Sequence, residues 1–270
     1  MSGISQFLQK IVVYLRYYFK ANTRYRFHSP YLFHLIESCF DAERNYYDFS
    51  TLGENYLHLV NRNELISVDE FSQKRNQGGL LIGAFAKKAL HPPAQLHELY
   101  RLVKYLKPVS ILELGACLGS SSVCLALASK SLQQDSVEGN GQFVDIAKEL
   151  AAKSNCSHIH FHHQDFRKFL SENRETKYDF IMLDGDHSKA ATLEYVQILL
   201  QMLNDKGVLL LDDIHWSKGM HEAWLELTLH DSVPCSLETS RWGLLFKDKT
   251  LSQGRYSYIQ AGFKPWQRYV

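Results

Sequence analysis

The chain has 270 residues, of which 45% are apolar and 22% are charged, and its formal net charge at pH 7 is +1. This length and apolar content are sufficient for one large globular domain with an extension. Proteins whose main partner is nucleic acid usually carry a large positive excess, so this charge balance makes nucleic acid an unfavoured partner.

Neither a membrane anchor nor a disulfide framework is expected from the sequence. No run of about 18 apolar residues occurs, and polar side chains interrupt the apolar segment 4–19 in a way that does not fit a cleavable signal peptide. The five cysteines are odd in number and lack C-x-x-C spacing, which argues against paired disulfides and against a zinc site of that kind. We therefore predict a cytoplasmic protein without a transmembrane segment.

Residues 1–90 are predicted to form a helical extension ahead of a main domain at 91–270. Residues 10–26 contain five basic side chains and no acid, interleaved with aromatic residues. Such a segment can bind RNA by stacking and phosphate contacts or lie on a membrane surface. Packing of its aromatic side chains on the core or on a second subunit is the favoured interpretation. Residues 67–79 are polar and contain glycines, which predicts a mobile loop.

The segment 111–119, Ile-Leu-Glu-Leu-Gly-Ala-Cys-Leu-Gly, predicts a buried strand that runs into a tight glycine turn and then into a helix at 121–130. Gly115 and Gly119 allow backbone N–H groups to approach a ligand closely, because neither has a side chain to fill the space. The spacing differs from the G-x-G-x-x-G pattern of dinucleotide-binding proteins, since position 117 is a cysteine. A site for a small molecule is indicated at this turn.

Two later apolar runs, 178–183 and 207–211, are typical of strands covered on both faces of a parallel sheet. Apolar residues at helical spacing between them predict a right-handed crossover helix, so both strands end at the same edge. Asp184 follows the first run, and Asp212 and Asp213 follow the second. Carboxylates this close raise each other's pKa unless a cation lies between them, and oxygen ligands select Mg²⁺, with Mn²⁺ or Ca²⁺ as alternatives.

The pattern Glu113-x-Gly115-x-x-x-Gly119 resembles motif I of the class I S-adenosylmethionine-dependent methyltransferases, and the order of the later segments extends the resemblance over residues 95–250. The resemblance implies an α/β fold with a Rossmann-like seven-stranded sheet, mostly parallel with the last strand antiparallel, and an N-terminal helical extension. The antiparallel pair would be formed by 233–240 and 243–248. Segments before the first strand would close over the cofactor, which makes the loop at 67–79 a candidate lid.

The resemblance also assigns binding of S-adenosyl-L-methionine to residues at the ends of successive strands. In it, the acid after the second strand accepts hydrogen bonds from both ribose hydroxyls, and the acid and aromatic residue after the third strand contact the adenine. The candidate cofactor-binding residues are Glu113, Gly115, Gly119, Ser120, Glu138, Asp165, Phe166 and Asp184.

Two of these assignments have simpler alternatives. Glu138 could be a solvated turn residue, and Asp165 could cap the helix predicted at 166–172. The run 133–136 before Glu138 is polar, which predicts that the second strand is short or distorted.

The acids after the fourth and fifth strands look like the metal sites of small-molecule O-methyltransferases, both of the catechol type and of the macrolide or sugar type. Carried over, Asp184, Asp212 and Asp213 would bind a divalent metal that holds the substrate hydroxyl, lowers its pKa and orients it for attack on the methyl group. Strand-end acids also cap helices, which is the alternative for Asp213. His187 is the first candidate for the general base, and His215 is the second.

A wider resemblance, carried by residues 26–30, 184–224 and 241–243, is to a family of methyltransferase-like proteins found mainly in Bacteroidetes; it names no substrate. The leading function is metal-assisted O-methylation of a small hydroxylated molecule, and the resemblance favours a homodimer. The alternatives are methylation of RNA or protein through the N-terminal segment, and a non-catalytic module that binds S-adenosyl-L-methionine. The sequence lacks the N-P-P-Y type tetrapeptide of many amino-group methyltransferases, which weakens the first alternative.

Overall fold

The computed structural model describes residues 3–41, 43–66, 79–129 and 133–269. The chain forms two compact units: the terminal unit contains residues 1–41 and 173–270, and the central unit contains residues 42–172. The predicted lid lies outside the described residues apart from Gly79, so both the lid and the predicted domain boundary at residue 90 stay predictions.

Ten α-helices occur in the described part of the chain: α1 Gly3–Lys20, α2 Pro30–Cys39, α3 Asp48–Val60, α4 Ile82–Ala89, α5 Pro93–Leu106, α6 Ser120–Ala128, α7 Gly141–Lys153, α8 Phe166–Glu172, α9 Lys189–Met202 and α10 Lys218–Leu227. The strands are β1 Leu65–Ile66, β2 Leu80–Leu81, β3 Ser110–Leu114, β4 Gln133–Glu138, β5 Ile159–His163, β6 Tyr178–Leu183, β7 Leu203–Leu211, β8 Cys235–Glu238, β9 Gly243–Phe246 and β10 Gly254–Ser257.

The central unit contains three parallel strands, with β4 paired to β3 on one side and to β5 on the other. A separate antiparallel pair is formed by β1 and β2. All five residues of β3 are buried, as expected of a strand covered on both faces. The helix α6 follows β3, and α7 follows β4. Each strand therefore ends in a turn that leads into a helix, and the two turns lie at the same edge of the sheet.

The strand β4 is regular, and the prediction that it is short or distorted is wrong. Its polar side chains are buried but hydrogen-bonded: Gln134 donates to the backbone oxygen of Ser122 (2.9 Å), and Ser136 donates to Glu113 (2.8 Å). On the other face, Asp135 Oδ1 lies 2.7 Å from His162 Nε2. Buried polar groups with partners are tolerated in a sheet, and a hydrophobicity pattern cannot show that the partners exist.

The terminal unit contains five strands in the order β10-β8-β9-β7-β6. The strands β6 and β7 are parallel, and β9 runs antiparallel to both β7 and β8, so the predicted antiparallel pair at the end of the sheet is present. The two units together contain eight sheet strands besides the β1 and β2 pair, one more than the seven expected. The additional strand, β10, pairs with β8 in parallel, and its four residues are too few and too polar to stand out in the sequence.

The predicted helix–strand–helix order is confirmed, and the remaining differences are at element ends. The predicted bounds of β6, α8 and α10 agree with the structure. The strand β7 begins at Leu203, four residues before the predicted start at 207, because the polar residues after Leu203 also pair or continue the strand. The α/β class inferred from the sequence is therefore confirmed.

The helix α1 packs within the terminal unit through a few of its residues. Val13, Tyr17 and Ala21 are buried, and the Tyr17 hydroxyl donates to the backbone oxygen of Tyr258. Phe19, by contrast, is 77% exposed. Packing of aromatic side chains on the core, the favoured interpretation of this segment, is thus confirmed for Tyr17. Among the described residues, no helix is both long and apolar enough to cross a bilayer.

Replacing Gly243 with alanine is expected to destabilise the protein by about 2 kcal/mol, as is typical of an overpacked core. A Cβ atom at this position of β9 would lie 2.4 Å from the ring of Trp224, which is itself buried and cannot move aside without disturbing its neighbours. Gly219→Ala is the control, since its Cβ would have no neighbour closer than 3.6 Å. Urea denaturation of both variants measures the difference, and equal stabilities would contradict the packing argument.

Glu113→Gln is expected to remove a pH dependence of stability. Burial raises the pKa of the Glu113 carboxyl, against the hydrogen bonds from serines that lower it. A raised folded-state pKa means that the folded protein retains a proton that the unfolded chain has released, so the free energy of unfolding falls as pH rises from about 4.5 through the raised value.

Urea denaturation at stepped pH between about 4 and 9 tests this expectation. The wild-type protein should lose stability as pH rises across that window, and the glutamine variant should lose less, because the contribution of Glu113 is removed. Glu54→Gln, on the exposed surface of α3, is the control and should follow the wild type. The same slope in Glu113→Gln as in the wild type would contradict the assignment.

Candidate active site

The glycine turn between β3 and α6 has the backbone conformation that glycine permits, and its approach to a ligand stays a prediction. Gly115 and Gly119 both have positive φ angles, 105° and 83°. A Cβ atom at position 119 would lie 2.7 Å from the Cα atom of Ala147 in α7, so only glycine fits there. The N–H groups of Gly115 and Ala116 donate to the backbone oxygen of Val137 (2.9 and 3.1 Å), which joins the turn to the end of β4.

Glu138, the last residue of β4, is fixed by the backbone on both sides. Its Oε2 accepts a hydrogen bond from the N–H of Cys117 (2.9 Å), and its Oε1 accepts one from the N–H of Asn140 (2.9 Å). Burial raises the pKa of this carboxyl, and the backbone donors act against that rise. Each carboxylate oxygen has a second lone pair, so the group can still accept two hydroxyl donors. This arrangement fits a ribose and excludes the simple solvated-turn alternative.

Ser120 and Glu113 lie inside the central unit rather than on its surface. Ser120 begins α6, and its buried hydroxyl oxygen has no hydrogen-bond partner among the described residues. Glu113 is fully buried and accepts hydrogen bonds from the hydroxyls of Ser122 (2.5 Å) and Ser136 (2.8 Å). In this conformation Glu113 joins β3 to α6 and β4 and presents no surface to a ligand, so its predicted cofactor contact stays a prediction.

Asp165 and Phe166 follow β5, where the sequence places them. The Asp165 Oδ1 atom accepts hydrogen bonds from the N–H groups of Arg167 (2.9 Å) and Lys168 (3.3 Å), so the capping alternative for this residue is confirmed. Capping uses one carboxylate oxygen. Phe166 is the first residue of α8 and is partly exposed. Contacts of the two residues with an adenine stay predictions.

The acids of the terminal unit converge as the parallel strands predict. Leu183 and Leu211 are register partners at the ends of β6 and β7, and the N–H of Asp212 donates to the backbone oxygen of Leu183 (3.0 Å). Asp184 and Asp212 therefore leave neighbouring strands at the same edge. Asp213 has a φ angle of 52°, a left-handed conformation that aspartate adopts more readily than most residues.

A guanidinium group, which the sequence reasoning did not include among the site residues, lies among these acids. Arg241 donates from Nε to Asp212 Oδ1 (2.7 Å) and from NH2 to Asp212 Oδ2 (2.5 Å), and NH2 lies 3.3 Å from Asp213 Oδ1. Burial lowers the pKa of Arg241, but the hydrogen bond to Asp212 and the charges of Asp212, Asp213 and Asp184 outweigh that effect and raise it.

The position of Arg241 follows from the pairing of β7 with β9. Gly243, the first residue of β9, is the antiparallel partner of Leu211, the last residue of β7. Residues that precede β9 must therefore lie beside residues that follow β7, which brings Arg241 next to Asp212. The sequence predicts both strands, but their pairing is a tertiary fact.

The acids match a divalent metal in donor type, and oxygens of Asp184 and Asp212 lie within 4.8 Å of one another, but a guanidinium already engages Asp212. Carboxylate oxygens are the ligands that Mg²⁺ prefers, yet both oxygens of the buried Asp212 are occupied by Arg241. A divalent ion placed here would be close to a guanidinium that carries the same sign of charge. The three acids therefore already have the cation that their proximity requires, and it belongs to the chain.

The two candidate bases lie in different surroundings. His187 Nε2 is 3.7 Å from Asp184 Oδ1, and both side chains are partly exposed, at 27% and 20%. His215 is buried, and its Nε2 lies 3.0 Å from the backbone oxygen of Thr239. Of the two, only His187 combines access to solvent with a neighbouring carboxylate that is also accessible, so it remains the first candidate.

Comparison with known proteins agrees with these features. Residues 112–214 match a family described as a methyltransferase domain, a range that runs from β3 through the acids after β7. A protein of Arabidopsis thaliana, provisionally named as a caffeoyl-CoA O-methyltransferase, is 26% identical over 168 residues, which cover 60% of this chain and 68% of that protein.

Solved structures show the same fold at lower identity. The O-methyltransferase from Bacillus cereus in complex with SAH is 16% identical, with 79% of this chain and 96% of that chain covered at a TM-score of 0.55. The SAH-bound methyltransferase PaMTH1 of Podospora anserina is 14% identical, with coverages of 82% and 97% and a TM-score of 0.58. The domain match and the relative support an S-adenosylmethionine-dependent methyltransferase, and the solved structures show that the chain has the fold of such enzymes.

Proposed function

We propose that this methyltransferase transfers the methyl group of S-adenosyl-L-methionine to a hydroxyl oxygen of a small molecule. The observation that carries the proposal is Glu138, whose two oxygens are each held by a backbone N–H group, one of them in the glycine turn. An oxygen acceptor is supported by the relatives, which are named as O-methyltransferases.

In the proposal the central unit binds the cofactor. Glu138 accepts hydrogen bonds from the ribose hydroxyls, and the turn that contains Gly115 and Gly119 receives the methionine part. The unpartnered hydroxyl of Ser120, at the first turn of α6, is a donor for the methionine carboxylate. When bound, the cofactor supplies an electrophilic methyl group on a positively charged sulfur.

The terminal unit handles the acceptor in this proposal. His187 takes the proton of the acceptor hydroxyl as the oxygen–methyl bond forms and the sulfur–methyl bond breaks. The imidazolium so formed is stabilised by Asp184, whose carboxylate lies 3.7 Å away. Asp184 therefore positions and supports the base, and contact of Asp184 with the cofactor stays a prediction.

The positive charge among the acids has two candidate sources. The first is Mg²⁺, or Mn²⁺ or Ca²⁺ in its place, which the donor type predicts at Asp184, Asp212 and Asp213. The bidentate contact of Arg241 with Asp212 favours the second source, in which the guanidinium takes the place of the ion. We propose the second source, so this chain requires no divalent ion at the acids.

The alternative of RNA or protein methylation through the N-terminal segment is less well supported. Three of its five basic side chains are engaged within the terminal unit: Lys10 lies over the ring of Trp216, Lys20 pairs with Glu238, and Arg24 is near Asp41. A cytoplasmic location, a homodimer and weak binding of nucleic acid stay predictions, as does the non-catalytic alternative.

Glu138→Gln is expected to weaken binding of S-adenosylhomocysteine by about 10- to 100-fold, since a hydrogen bond to a charged group contributes about 1.5–3 kcal/mol. The NH2 group of the glutamine would also face a backbone N–H group, which is a donor, so one of the two backbone hydrogen bonds that hold the side chain would be lost. Calorimetric titration measures the affinity, and Asp145→Asn, on the exposed face of α7, is the control. No binding by the wild-type protein would refute the proposed cofactor site, and equal affinity in Glu138→Gln would refute the role of Glu138.

Arg241→Ala is expected to create a Mg²⁺ site that the wild-type protein lacks. Without the guanidinium, Asp184, Asp212 and Asp213 repel one another, and a divalent ion relieves that repulsion. Calorimetric titration with Mg²⁺ should give binding to Arg241→Ala that is at least about 10-fold tighter than to the wild type.

Two further variants make the Mg²⁺ titration decisive. Adding Asp212→Asn to Arg241→Ala should abolish the new binding. Arg255→Ala removes an arginine of β10 that donates to the backbone oxygen of Thr228, and it should gain no Mg²⁺ affinity. Wild-type binding of Mg²⁺ that is lost in Asp212→Asn would favour metal assistance over the guanidinium. Once an acceptor is found, turnover that is unchanged by a chelator would support the guanidinium independently.

A further inference from the structure

A second cluster of ionisable side chains lies in the terminal unit, apart from the three acids. It consists of His215 in the loop after β7, His221 in α10 and Glu238 at the end of β8. One nitrogen from each imidazole and one oxygen of the carboxylate lie within 4.8 Å of one another. The side chains are almost fully buried, with exposed fractions of 9% for His215 and 1% for Glu238. Neither the cofactor site nor the proposed base uses any of them.

Each of the three side chains has a buried polar atom without a hydrogen-bond partner in the described structure. These atoms are His215 Nδ1, His221 Nδ1 and Glu238 Oε1. Buried polar groups are rarely left unpaired, because desolvation without a hydrogen bond costs about 1–3 kcal/mol for each group. Three such atoms in one buried cluster point to a partner that the described residues do not supply.

The tautomer of His215 fits a metal ligand. Its Nε2 lies 3.0 Å from the backbone oxygen of Thr239, which can only accept, and 3.7 Å from Glu238 Oε1, so Nε2 carries the proton and Nδ1 is the nitrogen with a lone pair. Metal-binding histidines commonly donate their other N–H group to a backbone carbonyl in this way. Burial lowers the pKa of both imidazoles, and the neutral form is the one that binds metals.

The carboxylate is held from its other side. Glu238 Oε2 accepts hydrogen bonds from Ser257 Oγ (2.5 Å) and from Lys20 Nζ (3.1 Å), which leaves Oε1 toward the histidines. The ring of Tyr17 covers His215 from α1, with ring centroids 4.9 Å apart. The cluster is thus enclosed by α1, α10, β8 and β10, as is typical of a site from which bulk water is excluded.

We propose that His215, His221 and Glu238 form a binding site for a divalent transition metal ion of the zinc type. Two imidazole nitrogens and one carboxylate oxygen suit Zn²⁺ or a neighbouring transition metal far better than Mg²⁺. Four-coordinate zinc with bonds of about 2.0–2.1 Å separates its ligand atoms by about 3.3 Å, so small rotations of the imidazoles complete the site. A water molecule supplies the fourth ligand.

The ion would act as a structural link. His215 follows Asp213 by two residues, so a metal at this cluster ties the loop that carries Asp212 and Asp213 to α10 and β8. Ions that bind only the folded state add to its stability by an amount that rises with the logarithm of their concentration above the dissociation constant. This inference is independent of the proposed methyl transfer, since it requires neither cofactor nor acceptor.

The test is titration of the full chain, freed of metal with a chelator, with Zn²⁺ against a chromophoric competitor. One high-affinity site per chain and a rise in the thermal unfolding temperature are expected. His221→Leu should lower the Zn²⁺ affinity of that site by about 100-fold or more. Loss of a residue that only hydrogen-bonds a metal ligand costs about 10- to 100-fold, and loss of a ligand should cost more. It also removes an unpaired buried nitrogen, so without metal it should fold at least as well as the wild type. Glu238→Gln is the second variant, and His230→Asn, an exposed histidine, is the control.

Lys20→Met gives a prediction that a merely structural cluster would not share. The ammonium of Lys20 competes with a metal for Glu238, so its removal should raise the Zn²⁺ affinity by about 10-fold. Co²⁺ loaded into the wild type should also give visible absorption bands that are absent from His221→Leu. If Zn²⁺ affinity is unchanged in both His221→Leu and Glu238→Gln, the proposal is overturned, and buried water is the partner of these atoms.

Discussion

The bidentate ion pair between Asp212 and Arg241 is the interaction on which the proposed acceptor chemistry depends. It neutralises a buried carboxylate at the end of β7, draws in Asp213, and is directed by the antiparallel pairing of β7 with β9. Removal of one partner from a buried pair leaves an uncompensated charge, which is strongly destabilising. The pair therefore fixes both the loop after β7 and the charge of the acid cluster, and Asp184 is left to support His187.

The central unit also contains a buried carboxylate, which it stabilises in a different way. Glu138 is a partly buried carboxylate that the chain holds with backbone N–H groups rather than with a cation. Backbone donors are neutral and fixed in place, so they orient the carboxylate while leaving its charge and its remaining lone pairs for a ligand. Asp212 and Glu138 thus show two ways of stabilising a buried acid, and only the second suits hydroxyl recognition.

The terminal unit contains two clusters that could bind a metal, and the partners of their side chains distinguish them. Donor type alone favours the acids Asp184, Asp212 and Asp213 for a hard divalent ion. Hydrogen-bond satisfaction gives the opposite ranking, because both oxygens of Asp212 accept hydrogen bonds from Arg241, while His215, His221 and Glu238 each retain an unpaired buried atom. We give the existing hydrogen-bond partners more weight than the donor type, because a metal ion must displace any group that already neutralises its ligands.

The sequence by itself determined the alternation of strands and helices, the glycine turn at 115–119 and the convergence of Asp184 with Asp212. Each of these follows from local periodicity or from the rule that parallel strands end at one edge. The regular geometry of β4, the strand β10, the position of Arg241 and the cluster of His215 with Glu238 were decided only by the tertiary structure. They depend on contacts between residues distant in sequence, such as Ser136 with Glu113 and Gly243 with Leu211, and neither hydrophobicity nor spacing along one chain encodes which distant partners satisfy a buried polar group.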